Sequence, residues 1–229
     1  MFYYDWTMIL LIPGILLTFW AQARVKSAYS KYSHVGAYCG MTGAQVAEHM
    51  LRSEAIYDVN IEVVSGSLTD HYDPSSRTLR LSEGVAYSSS LAALGVAAHE
   101  TGHALQHRDA YGPLVLRTAV VPTVNIGSNL SWPLVVLGMI FSWNPLIDLG
   151  ILLFSLTVLF TLITLPVEFN ASSRAMAALE NGGYLTETEL PGAKSVLNAA
   201  AMTYVAAAMN AILQLLRLIV MTGGRRRRD

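Results

Sequence analysis

Four long apolar blocks constrain this sequence more than any other feature, because they require a solvent other than water. They occupy residues 8–20, 118–142, 146–166 and 196–221. Hydrophobic residues make up 53% of the chain and charged residues only 14%, against about 25% charged residues in a typical soluble protein. A helix that crosses a bilayer needs about 20 consecutive, mainly apolar residues. The sequence therefore predicts a mainly α-helical integral membrane protein with three or four membrane helices.

The first apolar block has two interpretations, a membrane helix over residues 1–21 or a cleaved signal peptide. Ala21-Gln22-Ala23 has the form of a cleavage site. Signal peptides carry positive charge before the apolar run, whereas here Asp5 precedes the run and Arg24 and Lys26 follow it. This order of charges favours a membrane helix that is retained.

The second and third blocks predict a helical hairpin over residues 118–167, with Asn144-Pro145 in the turn between them. The fourth block belongs to a segment, residues 196–229, that ends in a basic tail. Its polar residues share one helical face: Thr203, Asn210, Gln214 and Arg217. This segment is therefore either a helix of the membrane bundle with a polar seam or a helix that lies along the membrane surface.

A polar stretch separates the first two blocks, and residues 22–117 are predicted to form a small α+β domain. Thr42 to Gln45 has the form of a capping box that opens a helix ending near Ser53. Residues 61–64 and 78–81 are typical of short strands, with turn-forming residues at 73–76. Ser88 to Ser90 can cap a further helix that runs to Arg108.

Charge and cysteine content narrow the function and predict the topology. The net charge of −1 gives no indication of nucleic-acid binding, and Cys39 is the single cysteine, which excludes an intrachain disulfide. Basic residues flank the membrane blocks on the side of the polar domain: Arg24, Lys26, Lys31, Arg108, Arg117, Arg174 and Lys194. Because positive charge accumulates on the cytoplasmic side, the polar domain is predicted to be cytoplasmic. If the fourth block crosses the membrane fully, Arg225 to Arg228 lie on the opposite side and contradict this charge count. These arginines are predicted to bind anionic lipid headgroups or to remain solvated.

The helix that follows Ser90 contains His99-Glu100-Thr101-Gly102-His103, an HExxH pattern. Histidines four residues apart share a helix face and can both bind one Zn²⁺ ion at about 2.0–2.1 Å. Glu100 lies beside the metal rather than on it, where it can accept a proton from a water molecule that the metal activates. The pattern predicts a catalytic zinc site with Glu100 as the general base.

A catalytic zinc needs a third protein ligand, and three residues are candidates. His107 lies a further helical turn along and would require sharp distortion to ligate. Asp109 lies where an extended motif would place a ligand, but Gln106 replaces the glycine that such a motif needs. Glu168 follows the apolar hairpin, which returns the chain to the side it left, and opens the segment 168–195. We expect a helix to begin at Pro166 and favour Glu168 as the ligand, although a charge at a helix N-terminus is the simpler interpretation.

Several longer segments resemble the YugP-like family of bacterial neutral zinc membrane peptidases, and the resemblance covers nearly the whole chain. They are Leu68-Thr69-Asp70-His71-Tyr72-Asp73-Pro74, Leu81-Ser82-Glu83-Gly84-Val85, Ala97-Ala98-His99-Glu100 with Gly102-His103, and Leu165-Pro166-Val167-Glu168-Phe169. The resemblance implies a gluzincin-like zinc endopeptidase, multi-pass in the bacterial cell membrane, with one Zn²⁺ per chain.

A more distant resemblance links the chain to the HtpX-type and CAAX prenyl membrane proteases. In those proteins a strand hairpin precedes the zinc helix, and its edge strand, at the place of Asp70 to Asp73 here, holds extended substrate. They also carry a ligand glutamate followed four residues later by an aspartate that supports a zinc histidine. Glu168 matches the ligand, but Ser172 stands at the aspartate position, so Ser172 or Asn170 is the candidate for that support.

The sequence thus predicts hydrolysis of peptide bonds in polypeptides that are membrane-associated or unfolded. The substrate-binding candidates are Asp70, His71 and Tyr72. Four residues could donate a hydrogen bond to the developing oxyanion, and the sequence does not choose among them: His71, Tyr72, Tyr184 and Tyr204. A catalytically degenerate, metal-binding scaffold or adaptor is the alternative function. A carrier or channel is the third class, since Asn125, Asn129 and Asn210 lie within apolar segments.

Overall fold

The computed structural model of the chain describes residues 6–226, with side chains described up to residue 223. A 3₁₀ turn, Trp6–Leu11, leads into α1, Ile12–Tyr32, and α2 spans Gly43–Ser53. The three strands are β1 (Asn60–Val64), β2 (His71–Asp73) and β3 (Thr78–Ser82). The remaining helices are α3 (Glu83–Ala86), α4 (Leu91–Arg108), α5 (Gly112–Ile140), α6 (Asn144–Asn181) and α7 (Leu190–Arg226). The predicted mainly α fold with a small α+β part is confirmed, while the side chains of Arg225 to Arg228 lie outside the described residues.

Four helical segments are long and apolar enough to cross a membrane. They are Trp6–Tyr32, Gly112–Ile140, Asn144–Asn181 and Leu190–Gly223. The turn between the second and third lies at Phe141–Trp143, directly before the predicted Asn144-Pro145. The fourth apolar block is thus part of a helix with the length and composition of a membrane span.

The chain divides into two compact units. The membrane unit comprises Met1–Ala21, Leu116–Leu165 and Thr203–Asp229. Within it α1 packs closely on α7, because a side chain at Gly14 would meet the amide oxygen of Asn210. The Asn210 amide also donates a hydrogen bond of 2.6 Å to the Thr18 hydroxyl. This polar contact fits a helix of the membrane bundle better than a helix exposed to the membrane surface.

The second unit, called here the polar unit, comprises Gln22–Val115 and Pro166–Met202. It therefore includes a segment that follows the apolar hairpin, in addition to the polar stretch expected from the sequence. Its sheet has the strand order β1-β3-β2, with β1 parallel and β2 antiparallel to β3. The hairpin joins β2 to β3, and the Asp73 carboxylate accepts hydrogen bonds from Ser75 and Ser76 in its turn. The residue pattern predicted β1 and β3, whereas β2 was indicated only by the family resemblance, which placed an edge strand at Asp70 to Asp73.

Helix α4 runs through the core of the polar unit. Ala93 and Ala97 pack against the sheet residues Leu79 and Leu81, and Leu94 and Ala98 belong to a second core cluster with residues of α2, α6 and α7. The predicted helix starts are confirmed: Thr42 and Gln45 form the capping box of α2, and the Ser90 side chain caps α4. A helix buried on opposite sides is held firmly, which suits it to carry chemical groups.

We expected a helix to begin at Pro166, but this prediction was wrong. Helix α6 runs without a break from Asn144 to Asn181 and includes Pro166. A proline inside a helix removes one backbone hydrogen bond and is tolerated only where packing offsets the loss. The residues that follow are closely packed, since Val167, Ala171 and Ala175 are fully buried. The side chain of Glu168 is therefore fixed in the middle of a continuous helix.

Candidate metal centre

Two helix faces of the polar unit meet at the HExxH pattern. His99, Gly102 and His103 lie on one face of α4, at helical spacing. The facing residues of α6 are Glu168 and Ala171. A side chain at Gly102 would approach the Ala171 carbonyl oxygen to 2.6 Å, so only glycine permits this separation of the two helices. The missing side chain of Gly102 is what lets α6 come within ligand distance of the histidines.

The three predicted metal ligands converge on one point. Oε2 of Glu168 lies 3.3 Å from Nε2 of His99 and 3.5 Å from Nε2 of His103. Ligands at 2.0–2.1 Å from a tetrahedral zinc ion are about 3.3–3.4 Å apart. Glu168 is only 2% exposed, and a buried carboxylate needs a cationic partner. The spacing, donor types and burial fit one zinc ion.

The outer nitrogens of the two imidazoles are also engaged. Nδ1 of His99 lies 3.1 Å from the Ser172 hydroxyl, and Nδ1 of His103 lies 3.0 Å from the Gln106 side-chain oxygen. Such contacts behind a metal-binding histidine fix its ring orientation. Ser172 was one of two candidates for this support and contacts His99. The other, Asn170, accepts a hydrogen bond from the Gln106 amide.

Glu100 lies beside the histidines and contacts strand β2. Its Oε2 accepts a hydrogen bond of 3.1 Å from the backbone N–H of Tyr72. Burial raises the pKa of the Glu100 carboxyl, while the imidazoles of His99 and His103 lower it in part. The strand thus holds the carboxylate next to the predicted metal ligands, where a general base would have to lie.

The structure does not bring the other two ligand candidates to the centre. Nδ1 of His107 lies 2.8 Å from the Tyr72 hydroxyl. Burial raises the pKa of that hydroxyl to about 12, so Tyr72 stays protonated at neutral pH, and the tautomer of His107 decides which of the two groups donates. Asp109 forms ion pairs with Arg108 and Arg174. His107 and Asp109 thus contact Tyr72 and the two arginines, near the C-terminal end of α4.

The remaining site candidates lie in different places. The Asp70 carboxylate accepts hydrogen bonds from the backbone and hydroxyl of Ser82, which fixes the start of β2. His71 is on the exposed face of the sheet, where its ring contacts Arg80. Tyr184 packs against the core cluster around Met50, and Tyr204 lies on α7 in the membrane unit. Of this group, Tyr72 donates its backbone N–H to Glu100, and the charge of Asp70 also acts on Glu100.

Two residues of the centre were missed from the sequence. Gly102 was read only as part of the motif, and Gln106 was considered only as a replacement for another glycine. Both lie on the helix face of His99 and His103, since Gly102 follows His99 by three residues and Gln106 follows His103 by three. Their positions on that face were the available signal.

Comparison with known proteins places this centre in a family. Residues 7–223 match the family described as "Putative neutral zinc metallopeptidase". The chain is 51% identical over 211 residues to a protein of Bacillus subtilis (strain 168) named "Putative membrane protease YugP", with 92% of this chain and 94% of that protein covered. No solved structure matches the chain. Since the family match extends over almost the entire sequence, this protein belongs to the neutral zinc metallopeptidase family.

Proposed function

We propose that this protein is a membrane-anchored, zinc-dependent endopeptidase of the gluzincin type. The observation that carries the proposal is the convergence of His99, His103 and Glu168, at nitrogen–oxygen distances of 3.3 and 3.5 Å, with Glu100 beside them. Two imidazoles and one carboxylate leave a fourth position of a tetrahedral ion open, which is typical of catalytic rather than structural zinc. One Zn²⁺ per chain is expected.

Hydrolysis requires a base, a nucleophile and an electrophile in one place. Zn²⁺ held by the three ligands would polarise the scissile carbonyl and lower the pKa of a water molecule. Glu100 accepts a proton from the attacking water and transfers it to the leaving amine as the carbon–nitrogen bond breaks. The Tyr72 N–H keeps the carboxylate oriented for both transfers. A scaffold that only binds metal would have no need of this base.

Strand β2 offers an edge at which extended polypeptide could bind. It is the last strand of the sheet, and in antiparallel pairing alternate residues turn their backbone groups away from the partner strand. The contact between the Tyr72 N–H and Glu100 shows that Tyr72 is such a residue. Substrate added to this edge by backbone pairing passes beside the base. An adjoining cavity of about 520 Å³, lined by Tyr57, Tyr72 and His107 among others, has room for a substrate side chain.

The expected substrates are polypeptides that can present an extended segment, either unfolded or associated with the membrane. The positively charged residues that flank the spans support a multi-pass orientation in the bacterial cell membrane with the polar unit in the cytoplasm. Labelling of single cysteines introduced at exposed positions of β1 and of the 141–143 turn would test this orientation, because the two positions should react from opposite sides.

The deciding experiment compares the purified wild type with Glu100→Gln on an unfolded protein such as casein. The wild type is expected to bind zinc and cleave, and Glu100→Gln is expected to bind zinc without cleaving. Glu187→Gln, at an exposed position, is the matched control and should behave as the wild type. A wild type that binds zinc but cleaves nothing would instead support the scaffold, and one without zinc would contradict both functions.

A further inference from the structure

The side chain of Gln106 is completely buried and links the zinc helix to α6. Its exposed fraction is 0%. Its amide nitrogen lies 2.8 Å from the Val167 carbonyl oxygen and 2.9 Å from Oδ1 of Asn170. Its amide oxygen lies 3.0 Å from Nδ1 of His103. All the hydrogen-bonding atoms of this amide are therefore engaged, as buried polar groups require.

Its neighbours permit only one orientation of the Gln106 amide. The Val167 carbonyl can accept a hydrogen bond but cannot donate one, so it must face the NH₂ group. The Asn170 side chain also presents its oxygen to this NH₂ group. Its orientation is fixed because Nε of Arg174 donates to Oδ1 at 2.9 Å and an arginine cannot accept a hydrogen bond. Arg174 is in turn held by an ion pair with Asp109. The amide oxygen of Gln106 must therefore face His103.

This fixed acceptor determines which nitrogen of His103 carries the proton. An oxygen that faces Nδ1 requires Nδ1–H, which leaves the lone pair of neutral imidazole on Nε2. Nε2 is the nitrogen that faces Glu168, at 3.5 Å. We propose that Gln106 is a positioning residue that fixes the metal-binding tautomer and ring orientation of His103. The inference rests on the proposed zinc site but not on peptidase activity.

His99 lacks an equally determined partner. Its Nδ1 contacts the hydroxyl of Ser172, and a hydroxyl group can rotate to donate or to accept. The two histidines therefore differ: the contact of His99 allows either tautomer, whereas that of His103 allows only one. Loss of Gln106 should accordingly affect metal binding more than loss of the Ser172 hydroxyl.

The test measures the zinc dissociation constant and the thermal midpoint of the full chain in detergent. Gln106→Leu removes the acceptor and both donors at similar size and should weaken zinc binding by about 10–100-fold. Gln106→Glu keeps an acceptor for His103 but loses the donors to Val167 and Asn170. It should bind zinc within a few-fold of the wild type, although its midpoint falls. Gln22→Leu, at an exposed position, is the matched control.

A purely structural Gln106 would give a different pattern, in which zinc affinity follows the thermal midpoint in both variants. Absorption spectra of the Co²⁺-substituted proteins add a readout of ligand geometry, and the spectrum should change in Gln106→Leu but not in Gln22→Leu. Zinc binding by Gln106→Leu within twofold of the wild type would overturn the inference. If that variant does not fold, a folded Gln106→Glu that has lost zinc would overturn it. A wild type that binds no zinc would instead contradict the proposed metal centre.

Discussion

Oε2 of Glu168 lies 3.3 Å from Nε2 of His99, although 69 positions separate the two residues in the sequence. The intervening chain includes α5 and the first part of α6, both of which are long enough to cross a membrane. Local helix geometry places the two histidines, whereas the proposed third ligand, Glu168, reaches them only when α6 packs on α4. The candidate metal centre therefore depends on the contact between these two helices.

Replacement of Glu168 by alanine should abolish stoichiometric zinc binding, because it leaves two histidines as the only protein ligands of the proposed site. Removal of a residue that only supports a ligand lowers metal affinity by about 10–100-fold, and the loss in Glu168→Ala should be larger. Metal analysis after dialysis measures it. Glu180→Gln, an exposed position on the same helix, should keep zinc. Undiminished zinc in Glu168→Ala would exclude this ligand and point to another acidic group.

Gly102→Ala should force α4 and α6 apart, because the new methyl group would lie 2.6 Å from the Ala171 carbonyl oxygen. Backbone atoms cannot rotate away as a side chain can, so we expect a loss of about 1–3 kcal/mol in stability together with weaker zinc binding. Thermal unfolding and zinc titration measure the two effects. Gly112→Ala is the control, since nothing lies within 4 Å of a side chain there. A variant as stable as this control would contradict the tight helix contact.

Asp109→Asn should lower stability at neutral pH but not in acid. Hydrogen bonds from Arg108 and Arg174 hold the pKa of the Asp109 carboxyl below its ordinary value of 3.8. A carboxylate whose pKa is lower in the folded than in the unfolded state stabilises the fold at any pH above its unfolded-state pKa. This stabilisation is lost as the pH falls through its folded-state pKa. The wild type and the variant should therefore differ in thermal midpoint above pH 3.8 and converge below it. The difference is expected to stay under about 1 kcal/mol, because the pair is partly exposed; a difference that grows in acid would contradict this pairing.

Backbone pairing with β2 predicts a particular pattern for peptide substrates that carry single N-methyl groups. Methylation removes one N–H donor, so cleavage should fall about 10-fold or more at a position whose amide faces the Tyr72 carbonyl. Neighbouring positions, whose amides point away from the strand, should tolerate the change. Rates of cleavage for a series methylated at each residue in turn measure the pattern. Equal tolerance at all positions would contradict strand addition.

Local features of the fold could be predicted because their signals are local. The capping box at Thr42 and the cap at Ser90 each satisfy backbone groups within three residues, and both helix starts were predicted. Strand β2 was indicated by the family resemblance but not by the residue pattern, because three residues carry too little alternation to stand out. Pro166 predicted a helix start, but the packing of Val167 and Ala171 offsets the lost hydrogen bond.

The sequence by itself determined the membrane helices and placed His99, Glu100 and His103 around one helical turn, because both depend on composition and spacing along a single segment. It indicated Glu168 through chain direction and family resemblance. Only the tertiary structure decided the distance of that carboxylate from the imidazoles, the close contact at Gly102 and the orientation of Gln106. These depend on which atoms of two distant helices face each other, and packing sets that relationship.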